Sequence, residues 1–82
     1  MIAFNYEVSQ NLREIAAILK AQHANHFRCQ AYLNAAKAIE SSDEDLNTLL
    51  KTQGIKGLIN LPTIGMGIAH LIYEYITTGR MS

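Results

Sequence analysis

The chain has almost no means of cross-linking itself. Its 82 residues include a single cysteine, Cys29, so no internal disulfide can form, and no Cys/His spacing resembles a zinc site. A reducing, intracellular setting, the cytoplasm, is the expectation that follows. No apolar run approaches the ~18 residues of a membrane span, and the N-terminus lacks the charged-then-apolar layout of a signal peptide. Net charge is missing too, since seven basic and seven acidic residues cancel. An autonomous, tight nucleic-acid binder usually carries a net basic surface, so any affinity for DNA has to come from local geometry and should be weak. No stretch alternates in the manner of a strand, and there is no repeat or low-complexity linker.

What is there is enough apolar residue for one core. Apolar side chains make up 49% of the chain, and its length suits one domain rather than two. Val8, Leu12, Ile15, Ala16 and Leu19 recur at helical spacing over about residues 5–22, with Asn5 as the expected N-cap and Glu7 in the first turn. His23 to His26 reads as a connection. A second helix is expected over about residues 27–40, with Phe27, Ala31, Tyr32, Ala35, Ala36 and Ile39 along one face, its alanines letting a neighbour approach closely. Ser41 and Glu44 read as a capping box opening a third helix with Leu46, Leu49 and Leu50 inward. Gly54 is placed to end it in the left-handed conformation. One or two turns fit residues 55–61 before Pro62. The last helix is expected over 66–78, with Ile68, Ala69, Ile72, Tyr75 and Ile76 inward and Gly79 beyond its end. The fold class is all-α, a compact bundle of four to five helices.

The segment that carries chemistry is Leu61-Pro62-Thr63-Ile64-Gly65-Met66-Gly67, a short helix, a tight turn and a longer helix. Glycines remove side chains from the turn, so backbone N–H groups can meet an external anion. Those N–H groups also open the last helix, where unpaired donors and the dipole attract phosphate. Phosphate held in this way carries no base information, so the binding is sequence-independent. Glycines that merely permit tight packing are the competing explanation of a bare G-x-G.

The flanking pattern, Leu-Pro-x-Ile-Gly-x-Gly-Ile-Ala followed by Ile72, resembles the helix-hairpin-helix of DNA repair proteins. Asn25-His26-Phe27-Arg28, then Ala31-Tyr32 and Ala35-Ala36, is similar to the second helix of the amino-terminal domain of family X DNA polymerases (polymerase beta and its bacterial relatives). Those proteins typically show Asn-Pro-Phe-Arg, Ala-Tyr and paired alanines there. Tyr73-Glu74-Tyr75-Ile76-Thr77-Thr78-Gly79 resembles the same domain's last helix, so the likeness runs from about residue 8 to 80. It implies a SAM-like domain that holds the 5′ side of a DNA gap, as the N-terminal module of a longer, polymerase-like protein. By position, the amides of Gly65 and Gly67, with those of Met66 and Ile68, are implied to contact phosphate. Arg28 and Tyr32 match positions lining a 5′-phosphate pocket. A Na+ or K+ ion is implied on the backbone carbonyls of Ile59, Leu61 and Ile64.

Three departures matter. Leu71 stands where eukaryotic members carry the lysine that forms an imine with deoxyribose phosphate, and a leucine cannot do that chemistry. Gly67 replaces a phosphate-contacting lysine. Thr63 replaces the usual glycine after the proline. No catalytic residue is therefore assigned, and the chain alone is expected not to be an enzyme. Asp43-Glu44-Asp45 reads as dipole-favourable charge in a helix's first turn, not as a metal site. His23, His26 and His70 read as surface histidines, and Cys29 as a half-buried thiol. Two other functions stay open. One is a protein-interaction module that kept the fold and lost DNA binding, with Leu71 and Tyr73 as its contact. The other is a lyase using a different amine.

Overall fold

A computed structural model describes residues 1–81, as five helices with no strand among them. In chain order these are α1 (Ala3–Ala21), α2 (His26–Glu40), α3 (Leu46–Gln53), α4 (Ile55–Ile59) and α5 (Met66–Thr78). None is long and apolar enough to cross a membrane. Helix α1 buries Val8, Leu12, Ala16 and Leu19, the stripe that helical spacing dictates. It ends in a Schellman arrangement: the His23 N–H donates to the Lys20 carbonyl and the Ala24 N–H to the Leu19 carbonyl. His23 takes the positive φ, +59°, that glycine usually supplies at such a position. The four-residue connection folds α2 back on α1, and these two helices form the most extensive pair in the bundle. Ala35 and Ala36 are fully buried between them, as small residues at a close crossing should be.

The core draws on every helix: Val8 and Leu12, Ala35, Ala36 and Ile39, Leu46 and Leu49, Leu58, and Ala69 with Ile72. Ile64 joins it from the turn between α4 and α5. Arg13 on α1 grips Glu40 on α2 through two hydrogen bonds, Nε to Oε2 at 3.0 Å and Nη2 to Oε1 at 2.8 Å. The guanidinium holds the Glu40 carboxyl below the usual carboxylate range. Tyr75 on α5 stacks on Phe4, and its hydroxyl donates to Glu7, which raises the phenol's pKa.

Local pattern and structure differ at four places. Asn5 does not cap α1, which starts at Ala3 behind Ile2. Asn5 is instead fully buried, its Nδ2 donating to the Glu44 carbonyl at 2.8 Å and its Oδ1 accepting the Leu46 N–H at 3.0 Å. It satisfies the start of α3 from across the bundle. Phe27 and Ala31 lie outside the buried face of α2, and Phe27 is 81% exposed. Four-residue steps drift by about 40° per turn on a 3.6-residue helix, so the line 27, 31, 35, 39 leaves the core within two turns. Helix α3 opens not on a Ser41/Glu44 box but on Asp45, whose side chain accepts the Asn47 N–H at 2.7 Å, because Ser41 still caps α2. The acids at 43–45 thus precede the helix. Gly54 has φ +69° but ψ −163°, outside the left-handed helical region, and serves both as the end of α3 and the start of α4.

Among the described residues, Asn5 makes the buried hydrogen bond that spans the most sequence, 41 positions, so its loss should be costly. Asn5→Ala is expected to cost about 1–3 kcal/mol in chemical denaturation, since the buried Leu46 N–H loses its acceptor, while the Glu44 carbonyl keeps the Ser42 hydroxyl as a donor. A change below about 0.5 kcal/mol, the range of an ordinary surface substitution, would contradict this role.

Candidate nucleic-acid interface

Helix α4, the turn and α5 form a helix-hairpin-helix. Gly57 sets the distance between α3 and α4. A Cβ there would lie 3.0 Å from both the Leu49 carbonyl oxygen and the Gln53 Cβ, so a larger residue would have to push the neighbouring turn away by a few tenths of an ångström. Beyond Ile59 the chain turns tightly: the Leu61 N–H donates to the Leu58 carbonyl and the Ile64 N–H to the Leu61 carbonyl, both at 3.2 Å. Ile64, 4% exposed, then plugs the turn into the core, and α5 begins two residues later.

Gly65 is the N-cap of α5 and has no side chain to satisfy the helix start. The first bond to close on this end runs from the Ala69 N–H to the Gly65 carbonyl at 2.9 Å. The amides of Met66, Gly67 and Ile68 meet no acceptor among the described residues. Gly65, Met66 and Gly67 are exposed, while Ile68 is half-buried against the core. The two glycines are unlike Gly57. A Cβ on either would meet nothing within 4 Å, and neither has a positive φ. Packing and backbone conformation therefore explain neither glycine.

The other expected contacts are on α2. Arg28 is exposed, its guanidinium with no hydrogen bond or ion pair among the described residues, and Tyr32, one turn on, packs partly against the core. The carbonyls of Ile59 and Ile64 accept no hydrogen bond among the described residues, and that of Leu61 takes the Ile64 N–H. Leu71 is half-buried on α5, which contains no lysine. No group of three or more His, Cys, Asp or Glu that could hold a metal ion occurs among the described residues, the acidic run at 43–45 included.

The neutral total charge conceals a segregation that whole-chain counting misses. Lys20, Arg28, Lys37, Lys51 and Lys56 fall in residues 15–39 and 46–73, two stretches without any Asp or Glu. The second of these contains α4, the turn and the first two turns of α5, ending just before Glu74. Of the acids outside them, Glu40 is engaged by Arg13. Counting charge by segment would have revealed this.

The chain is thus a small all-α bundle with an open, glycine-lined amide cluster between two helices. The profile of the family described as "Helix-hairpin-helix domain" matches residues 4–81, and the chain belongs to that family. Its members are typically sequence-independent DNA-binding modules rather than catalysts. No curated protein and no solved structure matches the chain.

Thr63 has φ +64°, a conformation that β-branched residues rarely adopt. Nothing bonds to its exposed side chain. Thr63→Gly is expected to stabilise the fold by about 0.5–1 kcal/mol in denaturant titrations, the strain relieved exceeding the added freedom of the unfolded chain. A loss of stability would show instead that the threonine side chain holds the turn.

Proposed function

We propose that this domain grips the DNA sugar-phosphate backbone through the amides of Gly65, Met66, Gly67 and Ile68, without reading base sequence. One observation carries the reading: two exposed glycines that neither packing nor φ requires flank amides that have no acceptor. Bare glycine lets a phosphate oxygen approach those donors, and the helix dipole favours the negative charge. The absence of acid from residues 46–73 supports the same use of this face.

Arg28 and Tyr32 supply a second contact, a 5′-phosphate at the edge of a gap, where a guanidinium pairs directly with phosphate oxygens. Phe27 beside them offers an open ring face to an unpaired base. The chemistry of the turn fits a Na+ or K+ ion, since the free carbonyls of Ile59 and Ile64, with the second lone pair of Leu61, are the oxygen donors such ions take. The ion would add positive charge beside the phosphate. The family X likeness further suggests that the domain positions gapped DNA for a polymerase-like repair protein in the cytoplasm, as its N-terminal module.

A partner-binding alternative has one observation in its favour. Leu50, Gly54, Ile55, His70 and Tyr73, though not Leu71, line a shallow groove of about 490 Å³. Titration of the isotope-labelled domain with gapped, 5′-phosphorylated DNA decides between the readings. Amides 63–68 and Arg28 should shift first, with a Kd of ~10⁻⁴ to 10⁻⁶ M that weakens as salt rises. Removing the 5′-phosphate should abolish the Arg28 shift and spare the hairpin. Hairpin amides that stay unmoved at low salt would overturn DNA binding and favour the groove.

A further inference from the structure

The turn joining α1 to α2 walls a second concavity, a cleft of about 590 Å³. Lys20 reaches it from the last turn of α1, His23 from the connection, and His26, Cys29 and Gln30 from α2. Neither the Lys20 ammonium nor either imidazole has a hydrogen-bond or ion-pair partner among the described residues, and the His26 ring only meets Phe27 edge-on. No carboxylate lines the cleft, and none occurs anywhere in residues 15–39. The only other titratable group facing it is the Cys29 thiol, which adds no positive charge. His23 also keeps an imidazole at φ +59°, where Asn or Gly would be less costly. One ammonium and two imidazoles thus line one concavity with no carboxylate among them, so an anion entering it meets a standing positive charge and ring N–H donors.

The cleft is not the Arg28 and Tyr32 pocket. Those two residues lie on the side of α2 that continues into Ala35 and Ile39, whereas His26, Cys29 and Gln30 are displaced by about a third of a turn around the helix. We propose that this cleft is a second phosphate-binding subsite for the nucleic-acid backbone, in which Lys20 supplies the charge and the ring N–H groups of His23 and His26 donate hydrogen bonds. The proposal rests on the reading of the chain as a backbone binder.

The test uses the full chain and a 5′-phosphorylated oligonucleotide, with affinity measured against salt. Each phosphate contact contributes about one to the slope of log K against log salt, so Lys20→Gln should lower the slope by about one. The variant His23→Asn/His26→Leu should weaken binding several-fold; asparagine tolerates the positive φ, so the turn is preserved. An unchanged slope in Lys20→Gln, or unchanged affinity in the histidine variant with its amide spectrum intact, overturns the subsite. Amide shifts recorded in the same titration separate the two sites. Hairpin shifts with a silent cleft refute the subsite and spare the hairpin, while cleft shifts with a silent hairpin support the subsite and refute the hairpin. Inorganic phosphate alone is the control: binding as tight as the oligonucleotide's would assign the cleft to free phosphate and overturn the backbone as its occupant.

Discussion

Ile64 sits in the turn between α4 and α5, yet its side chain belongs to the core that Leu58, Ala69 and Ile72 share. Burying a residue of this size contributes about 1.5–3 kcal/mol, a large fraction for a turn of a few residues. With Ile64 fixed inward, the next residue must face outward, and that residue is Gly65. The amides of 66–68 then stand without an acceptor on the first turn of α5, whose own body is held by Ala69 and Ile72. On the proposed reading, an anion meeting donors on so anchored a turn would lose little to reorganisation.

The rest of the bundle serves that constraint at one remove. Gly57 sets how closely α4 lies on α3, and Asn5 fixes the start of α3 to α1. Helix α2, clasped by Arg13 and Glu40, closes the core from the other side. A small domain buries too little surface to waste contacts, and each of these links joins distant parts of the chain.

The helices were legible because their apolar spacing is local. Residues 66–78 form α5 as the Gly-x-Gly start and Gly79 stop imply, and Gly79 does adopt the left-handed conformation at its end. The motif's two glycines were legible as a pattern, but their purpose was not. Only the surrounding atoms distinguish Gly57, which a neighbour crowds, from Gly65 and Gly67, which none does. Asn5 was misread because a residue's capping partner can lie 41 positions away, where no local rule looks. Phe27 was misread because four-residue steps imitate a helical face for a turn or two before drifting off it. The zero net charge concealed two acid-free stretches, and the cleft at Lys20, His23 and His26 arises from a turn that the sequence presents as an unpatterned connection.

The central claim is that Gly65 and Gly67 stay bare for an external phosphate and for nothing inside the protein. The double variant Gly65→Ala/Gly67→Ala tests it most directly, with stability and DNA affinity measured on the same samples. Neither methyl group meets a neighbour; alanine is the better helix former at position 67 by up to about 1 kcal/mol and the poorer N-cap at position 65 by a comparable amount, so stability should hold. DNA affinity should fall by at least about tenfold, equivalent to roughly 1.4 kcal/mol, as the methyl groups hold phosphate off the amides. A variant that is as stable as the parent and binds DNA equally well would contradict the account.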